Sequence, residues 1–217
     1  MSSLVFYIDE NQAYIATDTL AVNTDGTPLM FTSKAFVVPH LKLILAGVGA
    51  GGFLGRWFVQ MSDRLIAHDI DNVDYHAPSC LRPLWQGYKH EFSIPDGFTT
   101  TVYHYGFSKL TGKIHAYAYR SASNFESERL TPYGLRYKPE CEVPAEYNLP
   151  ADLPKIMTAQ RAAQAVKPKE ERLYIGGEIQ TFHLTKDGFG ISTVYRFDDY
   201  EENERVIFGN CIPISSS

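Results

Sequence analysis

Residues 1–19 read MSSLVFYIDENQAYIATDT, and two apolar runs in this stretch flank the turn-forming segment 9–11. The runs, residues 4–8 and 12–17, are rich in the β-branched and aromatic side chains that strands favour. In the first run, apolar side chains fall on both faces of the strand, so other layers must cover both faces. The stretch therefore predicts a hairpin inside a layered structure.

The rest of the chain continues this pattern of strands and helices. Hydrophobic periodicity and turn residues predict further strands at 35–38, 42–46, 100–107, 113–119, 178–184 and 190–197, and helices near 53–67, 80–92 and 153–166. We expect residues 120–152 to form a long irregular connection and the acidic run 198–202 a solvated turn. This order predicts one α+β domain over residues 1–217, a four-layer α/β/β/α sandwich of two antiparallel sheets.

The charge of the chain bears on its partners and location. The 217 residues include 20 Lys and Arg against 25 Asp and Glu, a formal net charge of -5. This balance supplies no positive field, so we expect neither nucleic acid nor a membrane as a partner. The apolar run at residues 4–8 is too short for a signal peptide or a transmembrane helix. We therefore expect a cytoplasmic protein.

The cysteines and histidines do not indicate a metal or cofactor site. Cys80, Cys141 and Cys211 are an odd number at wide spacings, which fits neither a disulfide framework nor a zinc site. The seven histidines are scattered without a metal-ligand spacing. We expect reduced thiols, no metal ion and no cofactor.

The two predicted hairpins place polar residues close together. If the first hairpin is centred on Glu10, residues whose numbers sum to about twenty face each other, which sets Ser2 opposite Asp18. A similar hairpin around residues 39–40 sets Lys34 near Leu45. The glycine-rich segment that starts at residue 47 would then emerge close to the lysine. A hydroxyl, a carboxylate and an ammonium group are thus expected in one pocket.

Three segments carry a resemblance to a known family. Residues 15–19 read IATDT, residues 31–34 read FTSK, and residues 42–47 read KLILAG and lead into a predicted helix. These segments resemble the beginning of a proteasome β-type or HslV-type subunit, an N-terminal-nucleophile (Ntn) hydrolase. Residues 176–180, GGEIQ, through the turn at 186–188 are similar to the late glycine pair, strand and turn of that family.

The resemblance implies a catalytic set and a reaction. The intervals from Ser2 to Asp18 and from Asp18 to Lys34 equal those between nucleophile, aspartate and lysine in the family. Removal of Met1 would free the amine of Ser2, with a pKa of about 8, to accept the hydroxyl proton. Asp18 would hold Lys34 charged, and the backbone N–H of Gly47 or Val48 would stabilise the oxyanion.

These roles imply hydrolysis of a peptide or amide substrate through an acyl-enzyme. Family members commonly build rings, so the resemblance also implies a homo-oligomer, possibly a ring, and a possible unfoldase partner. Both expectations come from the resemblance and not from the spacing of the residues.

Two departures from the family leave alternatives open. This chain has serine where the family usually has threonine, and it has Arg172 and Ile175 where the family places an aspartate and a serine; Glu170 or Glu171 would have to substitute. A catalytically inactive scaffold or assembly subunit is therefore one alternative. A dinucleotide-binding protein is another, because residues 47–52 read GVGAGG, a G-x-G-x-x-G pattern. That alternative requires a parallel strand after the first helix.

Overall fold

A computed structural model describes residues 3–143 and 146–209 of the chain. Within these residues the chain forms twelve β-strands and four α-helices. The strands are β1 Leu4–Ile8, β2 Gln12–Asp18, β3 Leu20–Val22, β4 Pro28–Phe31, β5 Ala35–Val38, β6 Leu43–Val48, β7 Thr101–Phe107, β8 Ile114–Arg120, β9 Ser127–Arg129, β10 Gly134–Lys138, β11 Glu178–Thr185 and β12 Phe189–Arg196. The α-helices are α1 Phe53–Arg64, α2 Ile70–Glu91, α3 Leu153–Ala165 and α4 Tyr200–Phe208.

The strands form three antiparallel sheets. The first sheet has five strands in the order β10-β1-β2-β11-β12, and the second sheet has five in the order β5-β6-β7-β8-β9. A small sheet pairs β3 with β4. All of these pairs are antiparallel, so adjacent strands in the second sheet are joined by turns or by the α1 and α2 segment.

The core is divided according to the faces of β1. Leu4 and Phe6 contribute to a cluster shared by the first and second sheets. Val5 points to the other face, where it packs with Ile156 and Met157 of α3. A further cluster joins the second sheet to α1 and α2. Both faces of β1 are therefore buried, as its apolar pattern predicts.

The prediction of a four-layer sandwich with only two sheets is wrong, because the chain leaves the first sheet after Asp18. The pairing of β2 with β11 ends at that residue, and the next backbone bonds run from Leu20 N–H to Gly176 and from Thr32 N–H to Thr19. The turn at residues 23–26 then folds β4 back onto β3 and makes the separate small sheet.

The acidic run at 198–202 is not simply a turn, because it includes the start of α4. Asp199 is the N-cap residue, and Glu201 and Glu202 lie in the first turn of the helix, where negative charge is favourable. The ring of Tyr200 stacks on Phe31 of the small sheet with 4.7 Å between centroids. This contact holds α4 against β4.

Helix α2 begins ten residues before the predicted start at residue 80, and it contains two prolines. The stretch 69–74, too polar for a strand, forms its N-terminus, with Asp69 accepting a hydrogen bond from the backbone of Asn72. Its buried face repeats at helical spacing through Ile70, Val73, Ala77 and Leu81. Pro78 lies inside the part of the helix that was not predicted, where proline usually ends a helix.

Tyrosines of the second sheet hold this polar helix start. Tyr117 donates a hydrogen bond to Asp71 at 2.8 Å, and Tyr119 donates one to Asp74 at 2.7 Å. The carboxylates of α2 therefore have partners at the sheet surface, so the polar stretch can pack against the sheet without leaving charge unpaired.

Residues 120–152 are not a wholly irregular connection, because they supply the outer strand of each large sheet. Strand β9 pairs with β8, and β10 pairs with β1. The edge of β1 is thereby paired rather than left open to other chains. None of the helices in the described residues is long and apolar enough to cross a membrane.

His104 provides a test of the core between the second sheet and α1. Its ring is fully buried, and its Nε2 accepts a hydrogen bond from Trp57 Nε1 at 2.8 Å. Burial lowers the pKa of His104 from 6.5 to about 3. Between these two values the unfolded chain binds a proton here and the folded chain does not. Stability should therefore fall as the pH falls, by at most about 1.4 kcal/mol per pH unit from this residue.

We expect His104→Gln, which keeps an acceptor for Trp57, to unfold with a shallower dependence on pH between 6 and 4. Urea denaturation at several pH values measures this slope. His68→Gln removes a histidine that is 63% exposed and should leave the slope unchanged. Equal slopes for wild type and His104→Gln would show that His104 takes up its proton in the folded chain.

Candidate active site

The first hairpin has a register that differs by one residue from the predicted one. Leu4 pairs with Thr17, so facing residue numbers sum to 21 and Ser3, rather than Ser2, comes opposite Asp18. The carboxylate of Asp9 accepts hydrogen bonds from the backbone of Asn11 and Gln12, which places the turn later than a centre at Glu10. Ser2 itself lies outside the described residues.

Asp18 and Lys34 form a buried ion pair. Lys34 Nζ lies 2.9 Å from Asp18 Oδ2, and the side chains are 9% and 0% exposed. The ammonium also donates a hydrogen bond to the carbonyl oxygen of Leu20 at 2.6 Å. These contacts compensate a charge that would be costly to bury alone.

Backbone donors complete the surroundings of the carboxylate. Asp18 Oδ1 accepts the N–H of Ser3 at 2.9 Å, and Asp18 Oδ2 accepts the N–H of Gly176 at 3.2 Å. One carboxylate therefore links the start of β1, the end of β2, Lys34 and the segment before β11. The predicted grouping of Asp18 with Lys34 is found, and Ser3 is the residue nearest the chain start whose position is described.

The glycine-rich segment begins beside Lys34, but not as the second predicted hairpin placed it. Ala35 pairs with Ala46, so Leu45 faces Phe36, and Lys34 lies beside Gly47. The N–H of Gly47 donates to the carbonyl oxygen of Lys34 at 3.3 Å. The N–H of Gly47, one of the two predicted oxyanion donors, is therefore already used in a strand hydrogen bond. The other predicted donor, Val48, is the last residue of β6.

A cavity of about 280 Å³ opens beside Lys34. Its wall comes from the small sheet, the glycine-rich turn and the start of β7, and includes Leu20, Val22, Ser33, Phe36, Val48, Leu54, Thr100 and Val102. Lys34 is the one charged residue among the described residues that line the cavity, and the rest of the lining is mostly apolar. Such a cavity can accept an apolar side chain next to a polar reaction centre.

The turn at residues 47–52 does not have the surroundings of a dinucleotide site. Helix α1 is followed directly by α2, and the next strand, β7, is antiparallel to β6. The parallel strand required by that alternative is therefore missing from this position, and the dinucleotide-binding prediction is wrong. The glycines serve the turn itself, since Gly49 has φ +114° and a side chain there would overlap the carbonyl oxygen of Thr99.

Arg172 and Ile175 stand where the resemblance implies an aspartate and a serine. Ile175 is buried with an apolar cluster, and Arg172 donates to the carbonyl oxygens of Ala165 and Lys167 at 2.6 and 3.0 Å. Glu170 and Glu171 lie exposed in the 3-10 helix Lys169–Glu171. Neither glutamate takes the place of the missing aspartate beside Lys34 within the described residues.

One polar residue near the site was missed from the sequence. Gln160 of α3 is fully buried; its Oε1 accepts the hydroxyl of Ser3 at 2.5 Å, and its Nε2 donates to the carbonyl oxygen of Pro139 at 2.6 Å. The sequence does carry a signal, because Gln160 and Gln164 continue the buried spacing of Leu153 and Met157. A glutamine on an apolar helix face is expected to have partners.

No cluster of three or more metal-ligating side chains occurs in the residues that the structure describes. Cys80 and Cys141 are free thiols. Cys211 lies outside the described ranges.

The ion pair makes a testable contribution to stability. We expect Lys34→Met to lower the free energy of unfolding by about 3 kcal/mol, because it leaves Asp18 buried without its cation. Adding Asp18→Asn to this variant should restore part of the loss. Lys113→Met, which removes an exposed partner of Glu10, should cost much less, because water screens an exposed ion pair. Urea denaturation compares the variants, and equal losses at Lys34 and Lys113 would contradict this assignment.

The glycine-rich turn allows a matched pair of substitutions. Gly49→Ala should lower the free energy of unfolding by about 1–3 kcal/mol, because the backbone is left-handed and the added methyl group meets Thr99. Gly51→Ala, two residues on, adds a methyl group with nothing within 4 Å and should be close to neutral. Thermal unfolding measures both, and a neutral Gly49→Ala would refute the assigned backbone geometry.

Comparisons with known proteins agree on the fold only. No family model matches the sequence, and no curated protein matches it significantly. A solved structure described as "Anbu (ancestral beta-subunit) from Yersinia bercovieri" matches with TM-score 0.60 and 10% identity over 96% of this chain and 92% of that chain. Two Anbu structures from Hyphomicrobium sp. strain MC1, one of them a Gly-1 mutant, match with TM-scores of 0.58 and 0.59 and identities of 11% and 13%. They cover 95% and 96% of this chain and 92% and 93% of theirs.

These matches correct the assignment made from the sequence. The three structures are Anbu proteins and not proteasome β subunits or HslV, and no family model supports the narrower Ntn assignment. At 10% to 13% identity, the similarity concerns the fold alone. The chain has a fold like that of Anbu ancestral beta-subunits.

Proposed function

We propose that the chain hydrolyses peptide or amide bonds, with the hydroxyl of Ser2 as nucleophile after removal of Met1. The observation that carries this proposal is the buried ion pair of Asp18 with Lys34, which adjoins both Ser3 and a cavity of about 280 Å³. The role of Ser2 itself comes from the family resemblance, since Ser2 lies outside the described residues.

The surroundings of Lys34 suit an activating charge. An ammonium group has three N–H donors, and two of those of Lys34 go to Leu20 and Asp18. The third has no partner among the described residues and is available to a hydroxyl at residue 2. Asp18 holds the charge of Lys34 in place and is itself fixed by the N–H groups of Ser3 and Gly176, which supports a preorganised cation in the proposed reaction.

The reaction follows from these groups. The α-amine of Ser2 takes the proton of the hydroxyl while the oxygen attacks the amide carbonyl carbon. The tetrahedral intermediate collapses as the C–N bond breaks, and the protonated α-amine of Ser2 gives its proton to the leaving nitrogen. A water molecule then attacks the ester with the same amine as base, which releases the acid and restores Ser2. The positive charge of Lys34 favours the developing negative oxygen at residue 2.

An inactive scaffold is the second candidate, and a specific observation favours it. Ile175 is buried in an apolar cluster, and Arg172 donates to a backbone carbonyl. Two positions that the resemblance associates with catalysis therefore contribute to packing and backbone hydrogen bonding instead. The N–H of Gly47 is also committed to Lys34. In this candidate the ion pair would serve only to join strands. Assembly into a homo-oligomer and an unfoldase partner stay predictions in both cases.

A peptide epoxyketone separates the two candidates. This reagent forms a stable ring only with a residue that offers both a hydroxyl and a free α-amine. We expect intact-mass analysis to show one adduct on protein that begins at Ser2, mapped to that residue, and cleavage of fluorogenic peptides that the adduct abolishes. Lys34→Met should slow labelling by a factor of about 100 or more.

Two controls accompany the labelling. Ser2→Ala removes the hydroxyl and should give no adduct, whereas Lys113→Met keeps the site and should label normally. Protein with a confirmed N-terminus at Ser2 that stays unlabelled under saturating reagent would exclude the hydrolase and favour the scaffold.

A further inference from the structure

A second and larger cavity, of about 460 Å³, lies between the first and second sheets. Its wall includes Phe6 of β1 and Tyr103 of β7, which also belong to the core that the two sheets share. The remaining wall comes from β8, from Leu130 after β9, from β10 and its continuation, and from Leu173. The cavity is separate from the one beside Lys34, since the two have no lining residue in common.

The side chains of β10 bring positive charge to this space. Arg136 pairs directly with Phe6, and Lys138 with Leu4. Directly opposed residues in an antiparallel pair share a face, and Phe6 and Leu4 face the second sheet. Arg136 and Lys138 therefore point towards the second sheet, where Arg120 of β8 also lines the cavity.

These cations are poorly neutralised. Arg120 is paired with Glu128, but Arg136 donates to the neutral carbonyl oxygens of Thr131 and Pro132. Within the described ranges neither Arg136 nor Lys138 forms an ion pair. Burial lowers the pKa of Lys138, and the nearby charge of Arg120 lowers it further. Like charges at one cavity are unfavourable unless an anion joins them.

Aromatic and apolar groups supply the rest of the wall. The ring of Phe6 lies 5.8 Å from that of Tyr103, and Leu130 and Leu173 add apolar surface. Glu140 is the single acidic residue of the lining. The cavity thus combines a cationic side with an apolar side, which suits a ligand that has a flat apolar body and an acid group.

We propose that this cavity binds a small organic carboxylate with an apolar body, held by Lys138 and Arg136 at its acid group and by Phe6 and Tyr103 at its body. Protection of an edge strand also explains inward-pointing charges on β10. Edge protection requires neither a cavity of about 460 Å³ nor a third cation from the opposite sheet. The proposal does not depend on hydrolysis at residue 2.

The position of the cavity gives it access to the start of β1. Pro139, which lines it, accepts the hydrogen bond of Gln160, whose Oε1 accepts the hydroxyl of Ser3. Two hydrogen bonds through Gln160 therefore connect a lining residue of the cavity with Ser3, on the side of β1 away from β2.

Calorimetric titration of the full chain at low salt tests the proposal, with 3-phenylpropionate as probe and its uncharged amide as the matched control. We expect saturable binding of the acid, at least tenfold weaker binding of the amide, and roughly tenfold weaker binding of the acid to Lys138→Gln. Lys109→Gln removes an exposed lysine elsewhere and should bind the acid like wild type.

By surface area Lys138 is exposed at the mouth of the cavity, although neighbouring groups desolvate its ammonium enough to lower its pKa. Because its surface is exposed and it forms no ion pair in the described residues, its replacement should leave the unliganded melting temperature unchanged. No saturable binding up to about 10 mM, equal binding of acid and amide, or an unaffected Lys138→Gln would each overturn the proposal. Binding of inorganic phosphate in preference to 3-phenylpropionate would overturn the assigned ligand class.

Discussion

The buried ion pair between Asp18 and Lys34 is the constraint on which the site and much of the fold depend. Its carboxylate receives the N–H groups of Ser3 and Gly176, and its ammonium reaches the carbonyl oxygen of Leu20. Segments far apart in the sequence thus meet at one charged centre. Because an unpaired charge there would cost several kcal/mol, these segments have little freedom to move independently.

The layered core imposes the second constraint. Strand β1 is apolar on both faces, so it must be covered by the second sheet on one side and by α3 on the other. Because α3 covers β1, the buried amide of Gln160 on this helix reaches Ser3 and Pro139. The packing that stabilises the fold therefore also positions polar groups at the start of the chain.

Two cavities flank this start of β1, and they differ in chemistry. The one beside Lys34 is mostly apolar with a single ammonium group, whereas the one beside β10 combines cations with aromatic rings. The fold shared with Anbu structures accounts for the framework but not for these linings, because at 10% to 13% identity most side chains differ.

Most strands could be predicted from sequence, and β1 was placed correctly, because alternation and turn residues are local signals. The grouping of Asp18 with Lys34 was expected from the family resemblance, not from the hairpin register, which put Lys34 next to Leu45 instead of Gly47. The one-residue shift in the first hairpin was not, since it depends on how the carboxylate of Asp9 caps the turn. The start of α2 was missed because its aspartates find partners, Tyr117 and Tyr119, only after folding.

The sequence by itself thus determined the order of the main strands and the two-sided burial of β1, and its family resemblance pointed to Asp18 and Lys34. Only the tertiary structure decided that β10 completes the first sheet and that β3 and β4 form a sheet of their own. The physical reason is that pairing partners and buried polar contacts join residues distant in sequence, and local periodicity contains no information about which distant edge or charge a segment will meet.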